Sequence, residues 1–167
     1  MFYFDTLPIH FPPKRLESLS SYLARLARAN LLTAPCQMNY LLLPGKKGEK
    51  YIQRMDDYPP LMIENMVRCT GQSRETLLSA TFYPIAVNLG RNPHPQAIGR
   101  FLKGSIAGHL RYCPKCLEED PYYRLPWRFV SLKICPEHAC MIQERCPACG
   151  KPLPLVAPGF QVNMCAS

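Results

Sequence analysis

The sequence predicts a mainly α-helical protein with small zinc-stabilised modules: an N-terminal helix-turn-helix domain followed by tandem zinc fingers. Three observations carry that prediction. Apolar residues recur at helical spacing near the start of the chain. Eighteen prolines cut the remainder into short elements. Seven of the nine cysteines fall in the last 55 of the 167 residues, mostly in pairs two residues apart.

Residues 1–15 read as an extended arm punctuated by Pro8, Pro12 and Pro13. A helix is predicted from Leu19 to about Asn30, with Ser18 as N-cap. Leu19, Tyr22, Leu23, Leu26 and Ala27 share one face and read as core, while Arg25 and Arg28 point away. Ala34-Pro35 breaks the chain. A short helix over Met38 to Leu43 would end at Pro44-Gly45, ahead of a solvated loop over residues 44–50. After Tyr58-Pro59-Pro60 a helix is predicted from Leu61 to Cys69. Thr70-Gly71-Gln72 then turns the chain, and Ser73 caps a helix to about Ala80. Helix, glycine turn, helix is the helix-turn-helix pattern, with Gln72, Ser73 and Arg74 at the tip of the second helix. Residues 84–99 are rich in Pro, Gly and Asn and read as a linker. The predicted organisation is thus a helical domain over 1–90, a basic linker over 91–110, a first zinc finger over 111–143 and a second, cut short, over 144–167.

Cys113-x2-Cys116, eighteen residues, then Cys135-x2-His138 has the spacing of a tetrahedral zinc site. Four protein ligands leave no coordination position for water or substrate, so the site reads as structural. Cys146-x2-Cys149 followed by Cys165 supplies three donors for a second zinc, with Cys140 as the remaining local thiol that could complete it. Cys36 and Cys69 read as core, and His10, His94 and His109 as isolated. Trp127 is expected to fill a small core over the metal. The acids of this region are Glu118, Glu119, Asp120, Glu137 and Glu144. None forms an H-x-E or H-E-x-x-H arrangement, so no catalytic role is expected.

The net charge is +8, and no acidic residue occurs between Glu75 and Glu118. Arg91, Arg100, Lys103, Arg111 and Lys115 lie in that interval, an electrostatic footprint for nucleic-acid phosphates. No apolar run reaches membrane-spanning length. The N-terminus has no signal-peptide pattern, so the chain is expected in the cytoplasm, where thiols bind metal.

Glu17-Ser18-Leu19-Ser20-Ser21-Tyr22-Leu23-Ala24-Arg25-Leu26-Ala27 resembles the opening motif of the TniQ family. The run from Arg111 to Leu117, then Trp127, Cys135-Pro136-Glu137-His138 and Cys146-Pro147-Ala148-Cys149-Gly150, resembles its zinc region. The resemblance implies a bacterial target-selection adaptor of Tn7-like transposons. Such an adaptor joins a target-recognition complex to the AAA+ ATPase TnsC. Relatives of the TnsD type carry a long C-terminal extension. This sequence stops within the second zinc pattern, so it looks like the short members that accompany type V CRISPR-associated transposons. Those would bridge an effector carrying guide RNA to TnsC. Arg25, Arg28, Gln72, Ser73 and Arg74 are the expected partner contacts. The alternative is a sequence-specific DNA-binding regulator that uses the helix-turn-helix directly.

Overall fold

A computed structural model of the chain describes residues 6–33, 37, 42, 55–57, 63–90 and 95–155. The helix predicted over Met38–Leu43, the loop after it and the Tyr58-Pro59-Pro60 break lie outside these residues, apart from Leu42, which is buried in the helical core. Arg91, Cys36 and Cys165 also lie outside. Six α-helices and one 3-10 turn are described, and the described residues form no sheet, only isolated antiparallel bridges.

The first helix, α1 (Leu19–Ala29), begins where Ser18 is extended and its Oγ accepts the Ser21 N–H. That bond satisfies one of the helix's free first-turn donors. The helix closes as the Leu31 N–H donates to the Arg28 carbonyl at 3.0 Å and the Leu32 N–H to the Ala27 carbonyl at 2.9 Å. This is the Schellman pattern, with Leu31 in the left-handed position (φ +58°) that glycine normally fills. The predicted apolar face is buried. It packs with Met66, Cys69 and Leu77 from α2 (Ile63–Thr70) and α3 (Arg74–Ser79). Each fully buried Leu contributes about 1.5–3 kcal/mol of burial free energy. Gly71 (φ +67°) turns α2 into α3, and the Ser73 Oγ caps α3 by accepting the Thr76 N–H.

The segment read as a linker is folded. It contains α4 (Tyr83–Asn88) and α5 (Pro95–Leu102). Phe82, Ala86, Ile98 and Leu102 form a core with Leu125 of the 3-10 turn Leu125–Arg128. Proline content is a misleading signal here. Pro84 and Pro95 stand in the first turns of these helices, where a missing N–H costs nothing and the fixed φ suits the helix.

Buried polar contacts tie the helical part to the cysteine-rich part. Glu17 is buried. It accepts from Arg25 at 2.7 and 2.8 Å, from the Ser21 hydroxyl at 3.0 Å and from the Lys14 N–H at 2.9 Å. Ser20 donates twice to buried Asp56, at 2.7 and 2.6 Å. Arg128 reaches in from the 3-10 turn, donating to the Ala107 carbonyl and pairing with Asp56 at 3.4 Å and Asp57 at 2.6 Å. The Ser18 N–H donates to the Tyr123 carbonyl, and the Tyr123 N–H to the Ser21 hydroxyl. These bonds explain why α1 buries Ser20 and Ser21 beside its apolar stripe. They also correct Arg25, expected on an open face for a partner. It is committed to Glu17 and stacks over the Phe11 ring at 4.7 Å.

Candidate metal centre

Cys113 precedes α6 (Pro114–Glu119), which carries Cys116 in its first turn. The Cys113 sulfur accepts the Cys116 N–H at 3.4 Å, and this fixes both thiols on one side of the turn. Cys135 and His138 come from a knuckle. There the Cys135 N–H donates to the Cys140 carbonyl at 2.8 Å and the Ala139 N–H to the Cys135 carbonyl at 2.9 Å. Such closure needs a left-handed residue after the ligand pair, and Ala139 takes it at φ +49°. The second cysteine pair repeats this backbone. The Cys146 N–H donates to the Lys151 carbonyl at 2.9 Å, the Gly150 N–H to the Cys146 carbonyl at 2.8 Å, and Gly150 has φ +71°. Flanking bridges repeat as well, Ile134 with Met141 and Arg145 with Pro152. One-residue bridges thus pin two copies of one turn.

The donor atoms of Cys113, Cys116, Cys135 and His138 all lie within 4.8 Å of one another. Cys116 Sγ is 3.7 Å from Cys135 Sγ, and His138 Nδ1 is 3.1, 3.6 and 3.8 Å from the sulfurs of Cys116, Cys113 and Cys135. Zinc with bonds of about 2.3 Å to sulfur and 2.0 Å to nitrogen asks for ligand separations of roughly 3.5–3.8 Å. The residues therefore fit that ion, and they would hold it with no open position. His138 presents Nδ1 to the sulfurs while Nε2 lies 2.9 Å from Glu119 Oε1. A carboxylate behind a ligating imidazole fixes its tautomer and orientation. Sequence reasoning misses Glu119 in this role. Its partner is nineteen residues away, and no local spacing signals the contact.

Electrostatics favour ionisation of Cys113. Burial opposes its ionisation, but the Cys116 amide and the thiols of Cys140, Cys135 and Cys116 outweigh that and lower its pKa. Burial, with Cys113 and Cys135 adding to it, raises Cys116. The hydrogen bonds to Cys135 and then Glu119 raise His138. A bound cation would deprotonate the remaining thiols, as such ligation requires. Trp127 is buried in the core that also holds Cys113, Cys116 and Cys135, as expected. Arg124 stacks over it at 5.5 Å and pairs with Glu137.

The other predicted residues divide. Cys146 is buried and Cys149 half-buried in the same core, but they form no described donor cluster. Cys140 places its sulfur 3.3 Å from Cys113, beside the first cluster. Arg100, Lys103 and Lys115 are exposed. Arg111 is not. It is 1 % exposed, and its guanidinium donates to Glu144 and to the carbonyls of Trp127, Phe129 and Leu132. Arg111 is therefore corrected from a phosphate contact to a structural residue of the metal module. Arg28 is exposed, Arg74 is exposed and paired with Glu64, Gln72 is half-buried, and the Ser73 hydroxyl is engaged as a cap.

These features define a helical protein built around a cluster of three cysteines and one histidine that could hold a metal ion. The TniQ family model matches residues 8–142, most of the chain, and the chain belongs to the TniQ family. That places it among transposition-associated adaptors. No curated protein matches the sequence at a significant level. No described helix is long and apolar enough to cross a membrane.

Proposed function

We infer that the chain is a non-enzymatic adaptor in transposition, bridging an RNA-guided target-recognition complex to the AAA+ ATPase TnsC. The observation that carries this reading is the family match, which spans both the α1 motif and the Cys/His cluster. The packing supports it. Zinc in the cluster would be saturated by protein donors, so its work is to hold the 3-10 turn and its Arg128 against the helical part. A rigid two-part body suits a component that must hold two partners in fixed relation. Nucleic-acid backbone would lie along Arg100, Lys103 and Lys115, with Arg91 extending that run in sequence. The remaining partner contacts would come from Arg28, Gln72 and Arg74 near the ends of α1 and α3. Cys146, Cys149 and Cys165 would supply the donors of a second zinc.

Co-purification tests the reading. The chain should be retained by TnsC, and retention should rise when the guide-RNA effector is added. The reading is lost if the chain binds neither, or if it instead binds one duplex sequence tightly on its own, with mismatch costs of about 1–3 kcal/mol per base pair. That second result would establish the DNA-binding regulator.

A further inference from the structure

We propose that the first metal centre has five donors for four positions, and that Cys140 takes the fourth position when His138 leaves it. The proposal rests on the reading of the cluster as a zinc site and adds a ligand to it.

Cys140 Sγ stands 3.3 Å from Cys113 Sγ, closer than Cys116 and Cys135 stand to each other at 3.7 Å. Its place is set by the knuckle, because its own carbonyl takes the Cys135 N–H at 2.8 Å. The turn does not require a thiol there. The same position in the second knuckle is Lys151, whose carbonyl takes the Cys146 N–H in the same way. A sulfur beside Cys113, at the edge of the group of four donors, is therefore an addition to the turn and not a consequence of it.

His138 is the most exposed of the four donors. Cys113, Cys116 and Cys135 are buried in the module's core, whereas His138 is only half-buried and is steadied from outside by Glu119, whose side chain is 64 % exposed. Zinc accepts a set of three thiolates and one imidazole or a set of four thiolates alike. Exchanging imidazole for thiolate would add one negative charge to the site, beside exposed Lys115, which precedes Cys116 in the chain, and Arg124, which is shared with Glu137. The exchange would move one proton from the Cys140 thiol to solvent, with one sulfur–metal bond replacing the bond to the His138 nitrogen.

The test is a metal count on the full chain with zinc, repeated with cobalt as a spectroscopic stand-in. His138→Ala should retain as much zinc as the unaltered chain, with affinity by chelator competition weakened about tenfold or less. Its cobalt form should show stronger sulfur-to-metal charge transfer, as a fourth thiolate replaces the imidazole. Cys140→Ser alone should leave zinc content and spectrum unchanged. The double variant should lose one equivalent. The proposal is overturned if His138→Ala loses that equivalent by itself, through unfolding or otherwise. It is equally overturned if Cys140→Ser alone loses it, since Cys140 would then be a standing ligand. An unaltered chain that binds no zinc would instead end the zinc reading of the cluster, a separate failure.

Discussion

Arg111→Met separates two roles for one residue. If Arg111 met phosphates, its loss would reduce nucleic-acid affinity and lower the salt slope by about 0.9 per lost contact, with little effect on folding. The structure assigns the opposite. Arg111 donates to three carbonyls, of Trp127, Phe129 and Leu132, and pairs with Glu144 at 2.9 Å. Glu144 is 47 % exposed and simply hydrates when the arginine goes, so that pair contributes little. The cost comes from the carbonyls. A buried acceptor left without a donor costs about 1–3 kcal/mol, and methionine fills the aliphatic volume without supplying any donor. The Trp127 carbonyl is buried and loses its donor, the Leu132 carbonyl loses one at a part-buried position, and the Phe129 carbonyl keeps the Leu132 N–H at 3.1 Å, so the loss is roughly 3 kcal/mol. That is a large share of the ~5–15 kcal/mol that holds a typical domain. For a chain of this size it corresponds to a fall in Tm of about 10 °C. Trp127 is the sole tryptophan and is buried beside the site, so urea unfolding of the zinc-loaded protein followed by its fluorescence reads the change directly. An unchanged urea midpoint together with a flatter salt dependence of nucleic-acid binding would refute the structural role.

Three further outcomes are expected. Stripping metal with a chelator, or replacing Cys113 and Cys116 together with serine, should unfold the module around Trp127, since structural zinc contributes on the order of 10 kcal/mol to such folds. Metal analysis alongside near-ultraviolet circular dichroism checks this, and a native spectrum without metal would contradict it. Reversing charge at Arg100 and Lys103 should lower the slope of log affinity against log salt by about 2 while leaving Tm unchanged, because both side chains are exposed. Ala139→Gly should raise stability by about 1 kcal/mol, because exposed Ala139 holds a left-handed backbone that glycine adopts without strain. The urea midpoint measures it, and a decrease would count against the strain.

Local signals are the legible ones. The Ser18 and Ser73 caps, the apolar stripe of α1 and the set of three cysteines and one histidine all depend on residues a few positions apart or on a ligand pattern with fixed spacing, and each stands where the sequence puts it. What stays hidden is long-range pairing. Nothing near Arg128 in sequence marks Asp56, seventy-two residues away, as its counter-charge. Nothing near Arg111 shows that three carbonyls of a later loop converge on it. A run free of acids reads as an open basic surface only while every cation in it is presumed to face water, and Arg111 does not. Composition misleads in the same way at residues 84–99, where prolines that begin helices look like breaks.

The hidden pairings bear on why the α1 motif and the metal motif belong to one family pattern. Glu17, Ser18, Ser20 and Ser21 commit their polar groups to Arg25, Tyr123 and Asp56, and Asp56 in turn meets Arg128 from the loop that the metal ligands bracket. Buried ion pairs are poor sources of net stability but are costly to break one partner at a time. A module whose metal is lost would withdraw Arg128 and leave Asp56 buried beside Asp57 without its principal cation. The helical part cannot then keep its present packing. Loss of metal would thus reach α1 through Arg128 and through Tyr123, and so the polar half of the α1 motif is best understood as the socket for the metal module.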